Sequence, residues 1–137
     1  MIKAIFFDFD GVLVDSEKLH SDITIDYLHR TNMPIPDYEA YGVIGGNPKM
    51  NYWESVYERY RDVMPCTYDE LITGIRDAHK CLKEYDYSKI MFKDVPETLR
   101  TLKDKGYLLA LASSSAMDYL LKNLNSCGID DIFDFII

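Results

Sequence analysis

Two carboxylates, Asp8 and Asp10, stand two residues apart at the end of the apolar run Ile5-Phe6-Phe7, and Gly11 follows directly. Side chains alternate along an extended strand, so positions 8 and 10 project the same way. A carboxylate so placed can attack phosphorus and form an aspartyl-phosphate. A second acid beside it can protonate the leaving oxygen and later activate water. The same oxygens suit a hard cation. Gly11 permits the tight turn by which backbone approaches a phosphate. Two acids after a strand can also serve only as loop caps. The flanking Phe6-Phe7 and Gly11-Val-Leu-Val-Asp15 favour chemistry.

A second group of polar residues is Ser113-Ser114-Ser115, directly after the apolar stretch Tyr107–Ala112. A Ser113 hydroxyl and the backbone N–H groups of Ser114 and Ser115, at a helix N-terminus, can hold phosphate oxygens. An ordinary N-cap run is the alternative, since serine is preferred there. Right-handed crossovers can bring such a turn beside Asp8 at the carboxyl edge of a parallel sheet, where open α/β sheets bind ligands.

The elements that must position these residues follow from the pattern. Residues 2–8 read as a mostly buried parallel strand, because central strands show near-continuous apolar runs. Residues 17–31 read as a helix with Leu19, Ile23, Tyr27 and Leu28 on one face, Ser16 as N-cap, and Pro34 and Pro36 ending it. Further helices are predicted over Asn47–Val63 and Tyr68–Tyr85, so residues 17–90 read as purely helical. The aromatic stripe Tyr52, Trp53, Tyr57 and Tyr60 reads as core of that part. Alternation follows: helix 96–105 closed by Gly106, strand 107–112, helix 116–126 closed by Gly128, and strand 133–137. The expected fold is α/β: a Rossmann-like doubly wound parallel sheet, incomplete at about three strands, with an inserted helical-bundle cap. Residues 1–16 and 91–137 form the core and 17–90 the cap.

Composition narrows the partners. The chain has 137 residues and a formal net charge of −8, which argues against nucleic acid or an anionic membrane surface as partner. An acidic chain acting on an anionic substrate needs a local cation. Three cysteines, Cys66, Cys81 and Cys127, show no CxxC spacing and are expected to be thiols in a cytoplasmic protein. Met1–Phe7 is too short for a targeting or spanning segment.

The run Asp8-Phe-Asp-Gly-Val-Leu-Val-Asp15-Ser-Glu17 resembles the first motif of the haloacid dehalogenase superfamily. Leu109-Ala-Leu-Ala-Ser113 resembles its second, and the helical insertion is similar to the C1-type cap of the branch containing β-phosphoglucomutase and small phosphatases. The resemblance implies Mg²⁺, Asp8 as nucleophile and metal ligand, and Asp10 as acid/base with its backbone carbonyl on the metal. An acid at position 10 implies phosphate esters, because family dehalogenases and phosphonatases lack it. The family pattern continues with a lysine and further metal-binding aspartates downstream of the third strand. This chain stops at Ile137, so the resemblance implies the N-terminal part of a longer enzyme, nearly inactive alone. Its unpaired sheet edge is expected to invite self-association.

In the cap, His20 has the spacing of a family histidine near the acid/base, and Glu17 sits where it can contact substrate or steady the hinge. Lys49, in the loop Gly42–Lys49, and Arg76 are the candidate cations for a substrate anion, with a turn residue and a solvated helix charge as their plainer readings. The expected activity is Mg²⁺-dependent hydrolysis of a small phosphorylated metabolite. A phosphosugar mutase and a non-catalytic binding module are the alternatives.

Overall fold

The computed structural model describes residues 2–42 and 51–137, the side chain of Asn51 aside. It divides into two compact units, residues 1–16 with 86–137 and residues 17–85.

The first unit holds a three-stranded parallel sheet in the order β1 (Ala4–Phe7), β2 (Leu108–Leu111), β3 (Phe135–Ile136). Ile5 pairs with Leu109 and Phe7 with Leu111, which brings Asp8 level with Ala112 at the carboxyl edge. The Ala112 N–H donates to the Phe7 carbonyl at 2.8 Å, and the Ser113 N–H to that of Ile137 at 3.0 Å. Helices α5 (Val95–Asp104) and α6 (Met117–Cys127) are the connecting elements. Their ends share one device. The Gly106 N–H donates to the Lys103 carbonyl and that of Tyr107 to Leu102; after α6 the Gly128 and Ile129 N–H groups repeat the pattern on Asn125 and Leu124. These are Schellman closures, and the left-handed φ of +84° at Gly106 and +66° at Gly128 is why glycine stands there. Asp134 locks β3 to β2: its carboxylate accepts from the Leu109 N–H at 2.7 Å and from Lys103 at 2.6 Å.

The expectation of a mostly buried first strand fails: Ala4, Ile5 and Phe7 are half-buried and Phe6 is exposed. Leu109 and Leu111 are fully buried, whereas Phe6 is 65% exposed and Phe135 59%. By register Ala4, Phe6, Leu108, Ala110 and Phe135 share a face. Among the described residues no helix covers Phe6 or Phe135, so the apolar run looks central while half of it meets water.

The second unit is helical. Helix α1 (Ser16–Arg30) begins in the first unit and continues here, followed by α2 (Tyr38–Tyr41), α3 (Asn51–Tyr60) and α4 (Tyr68–Ala78). Leu28, Ile35, Val56, Leu71 and Ile75 form its core, and Trp53, Tyr57, Tyr52 and Tyr60 pack against them. The Tyr27 phenol lies over Gly74, where a Cβ would sit 1.9 Å from its oxygen, so glycine lets α1 and α4 approach. Thr67 and Glu70 cap α4 reciprocally: the Glu70 N–H donates to Thr67 Oγ1 and the Thr67 N–H to Glu70 Oε2.

Several boundaries differ from expectation. Helix α1 ends before the prolines, because Asn32 adopts a left-handed φ of +51° and the Met33 N–H caps the Leu28 carbonyl. Its buried positions are Ser16, Ser21, Thr24 and Leu28; the Ser21 and Thr24 hydroxyls are satisfied by the Ala40 and His20 carbonyls. Helix α3 tightens to a 3₁₀ turn at Arg61–Val63, and residues 47–50 of the expected helix lie outside the described residues. Helix α4 stops at Ala78 and gives way to a 3₁₀ turn over His79–Glu84, where Cys81 Sγ donates to the Ala78 carbonyl. Tyr38–Tyr41 and the 3₁₀ turn Tyr87–Ile90 carry too few residues to show a helical period. Among the described residues no helix is long and apolar enough to cross a membrane.

Candidate active site

Chain alternation sets the strand tip. Asp8 is exposed, Phe9 between the two acids is fully buried, and Asp10 is half-buried. Phe9 points inward against Tyr87 and Tyr119, with ring centroids 6.2 Å away in both cases. That anchor fixes the loop, and the acids on either side of it face outward. The Phe9 carbonyl accepts from the Leu13 N–H at 2.9 Å, and the Gly11 N–H donates to the Val14 carbonyl at 2.9 Å. Gly11 sits at φ +73°, so the turn needs glycine.

Both oxygens of Asp10 are engaged. Oδ1 accepts from Ser16 Oγ at 2.8 Å and from the Tyr119 hydroxyl at 3.4 Å. Oδ2 accepts from Ser115 Oγ at 3.0 Å. Ser16 is therefore not an N-cap: it lies inside the first turn of α1 and turns its hydroxyl to Asp10. Asp8 Oδ1 accepts from the Phe9 N–H at 2.7 Å. Burial, then a hydrogen bond with Tyr87, then the charge of Asp10 push the Tyr119 phenol upward, so it stays a donor at neutral pH.

The serine turn meets the acids, though not in the expected way. The Ser115 N–H is taken by Ser113 Oγ at 3.1 Å, a local side-chain turn. The Ser115 hydroxyl, not its amide, is what reaches Asp10. Ser114 is exposed. The residue preceding α6 is Ala116, with extended backbone and no side-chain cap, so the serines are not the cap run either.

For a cation the donors are right in kind and few in number. Asp8 and the Asp10 backbone offer hard oxygens of the sort Mg²⁺ takes. Among the described residues no group of three or more His, Cys, Asp or Glu forms a metal cage.

A family model described as haloacid dehalogenase-like hydrolase matches residues 5–137. The chain belongs to that family. Among curated relatives it is similar to the pyrophosphatase PpaX of Bacillus cereus strain Q1, with 26% identity over 137 residues, 99% of this chain and 59% of the relative. The chain thus spans about three-fifths of the length of the curated relatives it matches. Among solved structures, a haloacid dehalogenase family hydrolase from Deinococcus radiodurans R1, determined with bound phosphate and sodium, superposes with a TM-score of 0.71. It is 23% identical, covering 99% of this chain and 57% of that one. A β-phosphoglucomutase from Clostridium difficile gives a TM-score of 0.63 at 23% identity, covering 99% and 61%. At these identities the structural likeness is one of fold, and it agrees with the doubly wound sheet expected from the sequence.

Within this haloacid dehalogenase-like chain the remaining candidates lie in the helical unit. Glu17 is half-buried, and His20 and Arg76 are exposed. Lys49 lies outside the described residues. The His20 ring sits 5.2 Å from that of His79, whose Nδ1 and Nε2 reach the Ile75 and His20 carbonyls at 2.8 and 3.2 Å. His79 carried no expectation from sequence, and neither did the Ser115 side chain or Tyr119. Tyr119 lies four residues beyond Ser115, but a tyrosine one turn into a helix reads equally well as core. Nothing in the spacing marked His79.

Proposed function

We propose that this chain carries the nucleophile and the acid/base of a phosphatase acting on a small phosphorylated metabolite. The observation that supports it most is the 3.0 Å bond between Asp10 and Ser115, which joins the first acidic motif to the serine turn at one sheet edge. Asp8, exposed beside it, attacks phosphorus through a carboxylate oxygen. The bond from phosphorus to the leaving oxygen breaks as that oxygen takes a proton from Asp10. Asp10 then removes a proton from water, which cleaves the aspartyl-phosphate and releases phosphate. Ser113, Ser114 and the Gly11 turn border the space for the phosphoryl oxygens. Magnesium, held by the Asp8 carboxylate and the Asp10 backbone carbonyl, would supply charge neutralisation on the phosphate.

Relatives named pyrophosphatase are the reason to test pyrophosphate beside phosphate esters. A short metal donor set makes turnover by these 137 residues slow. The test is phosphate release from p-nitrophenyl phosphate, pyrophosphate and a sugar-phosphate panel with Mg²⁺. Release that persists unchanged in Asp8→Asn would refute the assignment.

A further inference from the structure

We infer that Tyr119 is the positioning residue of Asp10, holding the acid/base through its hydroxyl while its ring holds the neighbouring Phe9. This rests on the phosphatase reading for its consequence, not for its geometry.

Three hydroxyls donate to Asp10, and they differ in what holds them. Ser16 belongs to the first turn of α1, and Ser115 to a short loop closed by its own serine turn. Tyr119 sits on α6 and is braced twice more. Its ring meets Phe9 edge-on, with centroids 6.2 Å apart and planes at 89°. It meets Tyr87 in the same manner at 5.5 Å and 86°. Edge-to-face pairs of this kind fix ring orientation as well as adding attraction. Phe9 and Tyr87 are both fully buried, so the brace is set in the core.

The consequence concerns two consecutive residues. One ring grips position 9 by packing and position 10 by a hydrogen bond. The loop therefore cannot rotate Asp10 away without also disturbing Phe9. Ser16 and Ser115 each fix one oxygen of the carboxylate, but neither packs on the ring of Phe9 as Tyr119 does. At 3.4 Å the Tyr119 bond is the longest of the three, so the serines hold the carboxylate more closely and Tyr119 adds its hold on Phe9. When Asp10 carries the proton, the phenol oxygen can accept it in a hydrogen bond, so the same contact serves both protonation states.

The experiment uses the 137-residue chain labelled with ¹³C, at one fixed neutral pH. Tyr119→Phe keeps the ring and removes only the hydroxyl, so packing is preserved. The expected result is an unchanged amide spectrum with the Asp10 carboxyl resonance moved, while Tyr107→Phe, at the amino end of β2, leaves that resonance in place. Asp10→Asn supplies the reverse view: the Tyr119 ring carbon bearing oxygen should move. An Asp10 resonance identical in wild type and Tyr119→Phe overturns the inference. If Tyr119→Phe fails to fold, an unmoved Tyr119 resonance in Asp10→Asn does the same. Where turnover is measurable, Tyr119→Phe should lower kcat about fivefold with KM within about twofold, the signature of a lost positioning contact. The spectra judge the contact whether or not turnover is measurable, so a failure of the contact and a failure of the phosphatase reading are told apart.

Discussion

Asp10 and Glu39 are both carboxylates set among hydroxyls, one in each unit, and they are held in opposite ways. Glu39 lies on α2 and is 4% exposed. Arg59 donates to both its oxygens at 2.7 Å, and Tyr52 adds a bond at 2.9 Å. Burial alone would raise its carboxyl; the hydrogen bonds from Arg59 and Tyr52 and the Arg59 charge outweigh that and hold it below the usual range. Among the described residues, Asp10 accepts from the neutral hydroxyls of Ser16, Ser115 and Tyr119. A carboxylate paired with a guanidinium is locked in its charged form and does structural duty. The hydroxyls around Asp10 orient it without pairing it to a fixed cation. Burial and bonding would have ranked Glu39 above Asp10; the kind of partner reverses the order.

The largest effect should come from breaking the pair at the strand tip. Asp8→Asn should reduce turnover by at least about a thousandfold, and Asp10→Asn by about a hundredfold or more, each with little change in thermal stability. Glu39→Gln should do the reverse: stability falls and turnover per folded molecule stays the same. Comparable loss of turnover in Glu39→Gln, measured by phosphate release and corrected for the folded fraction, would erase the distinction between the two carboxylates.

Next in size is the loss of the guanidinium. Arg59→Met leaves a buried carboxylate without its cation and should lower the thermal midpoint by roughly 5 °C. Arg59→Met combined with Glu39→Leu should recover most of that, because removing both charges avoids the stranded one. The pH dependence carries the same information. A folded carboxyl held below its unfolded value gives stability that is complete above the unfolded pKa and is lost as pH falls through the folded one. Midpoints followed from neutral pH to below pH 4 should therefore drop more steeply in wild type than in Glu39→Gln. Glu70 and Asp134, also held low, by Thr67 and by Lys103 with the Leu109 N–H, contribute equally to both curves.

The contrast also explains what could be read from the chain. Asp8, Asp10 and the serine turn were legible because strand alternation and a parallel crossover are short-range rules that bring strand ends together. The parallel sheet followed from the alternation of strands and helices, and the closure of α6 from the glycine at 128. Tyr119 was not legible, since a tyrosine one turn into a helix reads equally well as core. Glu39 was invisible for a different reason: α2 has four residues, too few to show a period, and its partner lies twenty residues away. The wet face of the sheet escaped because an apolar run reports what a strand can bury, not what is there to cover it.

The smallest effect compares the two units through their helix ends. Both use a Schellman closure needing a left-handed residue, which is Gly128 after α6 and Asn32 after α1. A Cβ at Gly128 would meet nothing within 4 Å, so Gly128→Ala adds no clash and isolates the backbone term. It should cost about 1 kcal/mol, the left-handed penalty for an ordinary L-residue. Asparagine tolerates that region through its short polar side chain, so Asn32→Gly should change stability by only a few tenths of a kcal/mol. Denaturant midpoints at constant slope measure both. An Asn32→Gly gain as large as the Gly128→Ala loss would mean that Asn32 is strained, and that the helical unit ends its first helix at the same conformational cost an alanine would incur in the other.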